Sequence, residues 1–131
     1  MRRIIYVFGN PLVKKDSLAL KVYKKLEKIF PEIEFKEFDT MDDLKPRGTL
    51  YILDVAEGIK KIELIKDLDS IQTDKIYSMH DYDLSYELKL LKKIGKIKYV
   101  MIFCIPTEMR ESEAVEKLGR IIRSTLPSRS D

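Results

Sequence analysis

Two carboxylates and one imidazole stand where chemistry could happen. Asp16 follows an apolar run and its turn in FGNPLVKKD, Asp54 closes TLYILD, and His80, the only histidine, closes KIYSMH. Carboxylate oxygens with an imidazole nitrogen suit a borderline divalent metal such as nickel or zinc, leaving positions open for water or substrate. Each residue also has a plainer role. Asp16 stands beside Ser17 at the start of a helical pattern, where an acidic side chain caps backbone N–H groups. Asp54 after a buried strand can accept hydrogen bonds from the next loop, and His80 can be an ordinary loop or helix-start histidine. What links the three is position, since each follows an apolar run that reads as a strand. Ligands of open α/β sheets bind beyond the carboxyl ends of the strands, so parallel neighbouring strands would let these side chains converge.

The elements that must position them follow from periodicity. Residues 3–8 form a β-branched and aromatic run closed by Gly9, Asn10 and Pro11, which predicts a strand and its turn. Over residues 17–30, Ala19, Val22, Tyr23, Leu26 and Ile29 recur at helical spacing until Pro31 ends the pattern. The alternation IEFKEF at 33–38 predicts a strand with one wet face, near a sheet edge. Residues 49–53 read as a buried central strand ending at Asp54. Residues 56–68 have no clear period, and 75–77 read as a short strand. Leu84, Leu88, Leu91 and Ile94 mark a helix stopped by Gly95. A strand is expected over 97–105, then a last helix capped by Ser112 and carrying Val115, Leu118, Ile122 and Leu126. The tail SRSD is polar and expected to fray. Alternating strands and helices without repeat or linker predict a single α/β domain over residues 1–131. Its expected form is a three-layer sandwich, with about five mostly parallel strands and helices on both faces.

Bulk composition narrows the classes further. The chain has 131 residues, 44% of them apolar, enough for one core. Its 25 basic and 22 acidic residues leave a net charge of +3, too balanced to argue for nucleic acid or a membrane surface. Cys104 is the only cysteine, so neither an intrachain disulfide nor a thiolate zinc cluster can form. Set in an apolar run, it reads as a small core residue and not as a nucleophile. No apolar run approaches the roughly 20 residues of a membrane span, and MRRIIYVFGN reads as a first strand and not as a signal peptide. A cytoplasmic protein is expected. Abundant Lys, Glu and Ile beside only two side-chain amides, Asn10 and Gln72, is a composition reported for heat-adapted proteins.

The three residues sit in a pattern that resembles the hydrogenase maturation proteases. Gly9-Asn10-x-Leu12-x-x-x-Asp16 is similar to that family's first loop, GN-x-L-x-x-D-[DE], and Leu53-Asp54-Val55-Ala56 to its strand-end V-D-A segment. Ser78-Met79-His80 is similar to its S-x-H, and Ile105-Pro106 to the I-x-P that precedes its final helix. Order and spacing agree across nearly the whole chain. Two departures stand out. Lys15 and Ser17 flank Asp16 where the family has an acid and a glycine, and Asp39-Thr40 stands without the glycines of the family's D-G-G-T-like segment.

The resemblance implies a phosphorylase/hydrolase-like sheet and an endopeptidase that removes a C-terminal peptide from the large-subunit precursor of a nickel–iron hydrogenase. On this resemblance Asp16, Asp54 and His80 are ligands to nickel already carried by the precursor, with zinc or cadmium as substitutes. Asp39 is implied as a substrate-recognition residue, its alternative being an ordinary turn aspartate. The partner implied is the precursor, with no nucleic acid or membrane, and a monomer is expected. No catalytic nucleophile is assigned, because the sequence holds no Ser-His-Asp or Cys-His arrangement. Two alternatives remain. A peptidyl-tRNA hydrolase-like enzyme shares the strand followed by G-N-P but needs an early histidine, which this chain lacks. A non-catalytic metal-dependent module docking on a hydrogenase-like partner is consistent with Lys15 and Ser17.

Overall fold

The computed structural model describes residues 3–8, 17–38, 48–66, 77–78 and 88–126. In chain order these form β1 (Arg3–Phe8), α1 (Ser17–Ile29), β2 (Ile33–Phe38), β3 (Thr49–Glu57), β4 (Glu63–Ile65) and β5 (Tyr77–Ser78). Helical residues 88–93 (α2), β6 (Tyr99–Pro106) and α3 (Glu111–Thr125) follow. The strands lie in the order β2-β1-β3-β6-β4, with β5 paired to β3 off this path. The first four of that order are mutually parallel, whereas β4 runs antiparallel to β6 and β5 antiparallel to β3. The α/β sandwich expected from periodicity is therefore present, and its wet strand β2 does lie at an edge.

Strand alternation divides the interior between two faces. Ile5, Val7, Leu53, Val55, Phe103 and Ile105 share a core with α1 and α3. Tyr6, Phe8, Ile52, Ala56, Ile102 and Cys104 face the other way, sharing a core with Leu88 of α2. β1, β3 and β6 are thus covered on both sides. This is why they read as continuous apolar runs and not as alternating ones.

Local chemistry ends the helices. Phe30 N–H reaches Leu26 C=O at 2.8 Å before Pro31, which has no N–H to continue the ladder. Gly95 adopts φ of 82°, so its N–H reaches Lys92 C=O (3.1 Å) while Lys96 N–H reaches Leu91 C=O (2.9 Å). This is a Schellman cap, which favours glycine because a Cβ is disfavoured at positive φ.

Several sequence expectations need correction. β3 does not stop at Leu53 but continues to Glu57, because β6 stays paired with it as far as Pro106 opposite Ala56. The segment without a clear period contains β4, three residues too short to show one. Of the short strand expected over 75–77, Tyr77 does lie in one, which includes Ser78 and runs antiparallel to β3. At the end of α1, Ile29 is 42% exposed and Phe30 takes the core position. Ile94 lies past α2 and is 58% exposed. Ser112 is not a cap: Arg110 occupies that position without a side-chain cap bond, and Glu111 and Glu113 supply negative charge to the first turn of α3. Leu84 lies outside the described residues, as do positions 75 and 76 and the tail SRSD.

Candidate functional site

Asp54 lies inside β3, where the strand changes neighbours. On one flank, β1 pairs with β3 up to Val7 opposite Leu53, and β5 begins opposite Ala56 and Glu57. Asp54 and Val55 fall between those two partners. On the other flank, β6 runs past without a break and sets Cys104 opposite Asp54. The carboxylate shares a strand face with Ile52 and Ala56, which belong to the core on the α2 side.

Asp54 is fully buried, and it is the one buried polar or charged side chain among the described residues. A carboxylate removed from water costs several kcal/mol unless hydrogen bonds or charges compensate. The backbone N–H of Val55 donates to Asp54 Oδ1 at 2.7 Å, fixing the carboxylate against its own strand. This differs from the expected role as acceptor for a following loop. The residue is structurally part of the sheet.

Cross-strand register adds a row. Glu63 in β4 lies opposite Cys104, which lies opposite Asp54, so acid, thiol and acid line up across three adjacent strands. Glu63 escaped notice in the sequence because its strand is so short. Burial, then the negative charges of Asp54 and Glu63, push the Cys104 thiol well above its usual range. A thiol held neutral is a poor nucleophile, in keeping with its reading as a core residue.

Of the other predicted site residues, Asp16, His80 and Asp39 lie outside the described residues, as does Lys15. Asp16 immediately precedes the first residue of α1, and His80 comes two residues after β5. Among the described residues, no cluster of three His, Cys, Asp or Glu side chains could hold a metal by itself. A three-ligand site built with Asp54 would therefore need ligands from outside the described residues. Among the described residues no helix is long and apolar enough to cross a membrane.

The architecture is similar to that of the NiFe hydrogenase maturation protease HybD from Thermococcus kodakarensis. The TM-score is 0.68 at 19% identity, over 92% of this chain and 99% of that one. The fold is shared with a hydrogenase maturation protease. It is also shared with an uncharacterized protein from Wolinella succinogenes, at a TM-score of 0.60 and 17% identity, over 95% of this chain and 97% of that one. No family model and no curated protein matches the sequence. The fold is thus the one that the sequence resemblance implies.

Proposed function

We propose that this protein is an endopeptidase of hydrogenase maturation, removing a C-terminal peptide from a nickel-loaded large-subunit precursor. Asp16, Asp54 and His80 would bind the precursor's nickel at its open positions, and Asp39 would contribute to recognition. The observation that carries this reading is Asp54, a buried carboxylate set between the buried apolar residues Ile52, Leu53, Val55 and Ala56 of its strand. A hydrophobic residue of similar size would suit that core at least as well, so the carboxylate calls for another reason to be there.

Two features of the sheet support the other ligands. β5 runs antiparallel along β3 from the level of Glu57 to that of Ala56, towards Asp54, and His80 follows two residues later in the sequence. β1, whose connection to α1 contains Asp16, is the parallel neighbour of β3. Nickel so held would fix the precursor's tail against the carboxyl edge of the sheet. A metal acting as Lewis acid on the scissile carbonyl or on a water supplies a reasonable route to hydrolysis.

Lys15 favours a second reading, because an ammonium beside a cation site weakens it by Coulomb repulsion. On that reading the protein docks on the nickel-bearing partner without cutting it. Mass spectrometry of nickel-loaded and nickel-free precursors incubated with the protein separates the two. The proposed function requires loss of a C-terminal peptide from the loaded form only, and loss of that cleavage in Asp54→Asn and His80→Ala variants that keep wild-type circular dichroism. Cleavage at the normal rate in His80→Ala would falsify the three-ligand model, whereas an intact loaded precursor would support docking alone.

A further inference from the structure

The opposite edge of the sheet carries a different surface. Four large apolar side chains are exposed among the described residues: Ile29, Leu90, Ile94 and Tyr99. Three of them fall within the ten residues that close α2, turn at Gly95 and open β6. Leu90 is 47% exposed, Ile94 58% and Tyr99 66%. The same stretch exposes Lys92, Lys93, Lys96 and Lys98. None of the four forms an ion pair among the described residues.

Charge is concentrated here. Residues 89–99 hold five lysines and no acid in a chain of net charge +3, so the remaining residues carry −2, the difference between +3 and +5. Lysines at a helix C-terminus complement its dipole, which accounts for Lys92 and Lys93. It does not account for Lys98 beside β6, nor for exposed aliphatic side chains between the charges. The turn is also held in shape. Besides the glycine cap, the N–H groups of Lys98 and Tyr99 reach Gly48 C=O at 2.8 and 3.2 Å. A partner would meet a preformed surface.

We propose that this α2–β6 turn is a docking surface for an acidic segment of a partner protein, one that presents carboxylates to the lysines and apolar side chains to Leu90, Ile94 and Tyr99. Charge excludes a symmetric contact between two copies, which would set lysine against lysine. The core already takes Leu88 and packs against Leu91, which leaves Leu90 as the one exposed apolar side chain among the described residues of α2, too little to lie in a membrane surface. Leu90 and Ile94 have no ring to stack on a nucleic-acid base. Tyr99 opens β6 five residues before Cys104, the register partner of Asp54, and five strand residues span about 17 Å. A partner seated at this edge leaves the Asp54 region open, and the proposal stands whatever that region does.

The test uses the full chain and a random copolymer of glutamate and tyrosine, with amide chemical shifts mapping the contact. Binding should perturb residues 90–99 and weaken as salt rises. The double variant Lys93→Glu/Lys96→Glu should lose about tenfold in affinity and most of the salt dependence. Ile94→Ser should lose about tenfold with the salt dependence kept. Circular dichroism of both variants should match wild type; Ile94 and the lysines are exposed, so misfolding is not expected to mask the result. No binding of the copolymer, perturbed shifts elsewhere, or wild-type affinity in either variant would overturn the proposal. So would tighter binding to phosphatidylserine vesicles or to an oligothymidine strand than to the copolymer.

Discussion

A carboxylate and a thiol face each other across β3 and β6, and their environments give them different prospects. Val55 N–H holds the Asp54 carboxyl in place, and carboxylate oxygens are ordinary ligands for a divalent metal. Cys104 is 1% exposed, and its proton is held by burial and by two neighbouring negative charges. A thiol held in this way should not react with a thiol reagent until the protein unfolds. Cys104→Ala should therefore cost about 1 kcal/mol of stability through lost packing while leaving precursor cleavage at the wild-type rate. Paired denaturant melts and cleavage assays decide this. Cleavage lost in a folded Cys104→Ala protein would make the thiol a participant and overturn its reading as core.

At the scale of elements, α1 and β2 are joined by a polar contact at the rim of their apolar interface. Tyr23 of α1 donates its O–H to Glu37 of β2, and its ring stacks near Phe35 at 6.3 Å between centroids. Burial first, then the Glu37 carboxylate, raises the phenol well above its ordinary range. The folded chain thus keeps the phenol neutral where the unfolded chain would ionise it. The resulting stabilisation is complete below about pH 10, the ordinary tyrosine value, and is lost as pH rises beyond it. Because lysines titrate in the same region, the telling quantity is the difference between wild type and Tyr23→Phe. That difference should shrink from pH 9 to pH 11 in urea melts, and a constant difference would show that the contact does not hold the proton. This interface was legible in the sequence because α1 and β2 each keep a clean period. β4 was not, since three residues cannot show one, and the end of β3 was misplaced because Asp54 looks like a strand terminator. Buried inside the sheet, it is where residue-type preference and tertiary structure disagree, a conflict expected at functional sites. The candidate site was legible only as an order of residue types, and of the three proposed ligands the described structure locates Asp54 alone.

At the scale of the whole molecule, the two cores are not independent. They share β1, β3 and β6, whose successive residues alternate between them: Leu53 and Val55 belong to one, Ile52 and Ala56 to the other. Neither core can come apart without removing the backing of the other, because each strand pairs through the same backbone whichever way its side chains point. α3 is also tied to α1 by the Lys25–Glu111 ion pair and to Phe30, the residue that follows α1, by Arg123 lying 5.3 Å over its ring. An exposed pair contributes little, so cooperativity rests on the shared strands. Leu53→Ala and Ile52→Ala remove fully buried side chains from opposite faces. Each should cost about 2–5 kcal/mol, a large part of the roughly 5–15 kcal/mol that holds a typical domain together. Shared strands require both variants to melt in one transition, with far-ultraviolet circular dichroism and tyrosine fluorescence coincident and the denaturant slope close to wild type. Two transitions in either variant, or probes that separate, would mean that the faces unfold independently. Asp54 would then belong to a local subdomain around α2 and not to the sheet as a whole.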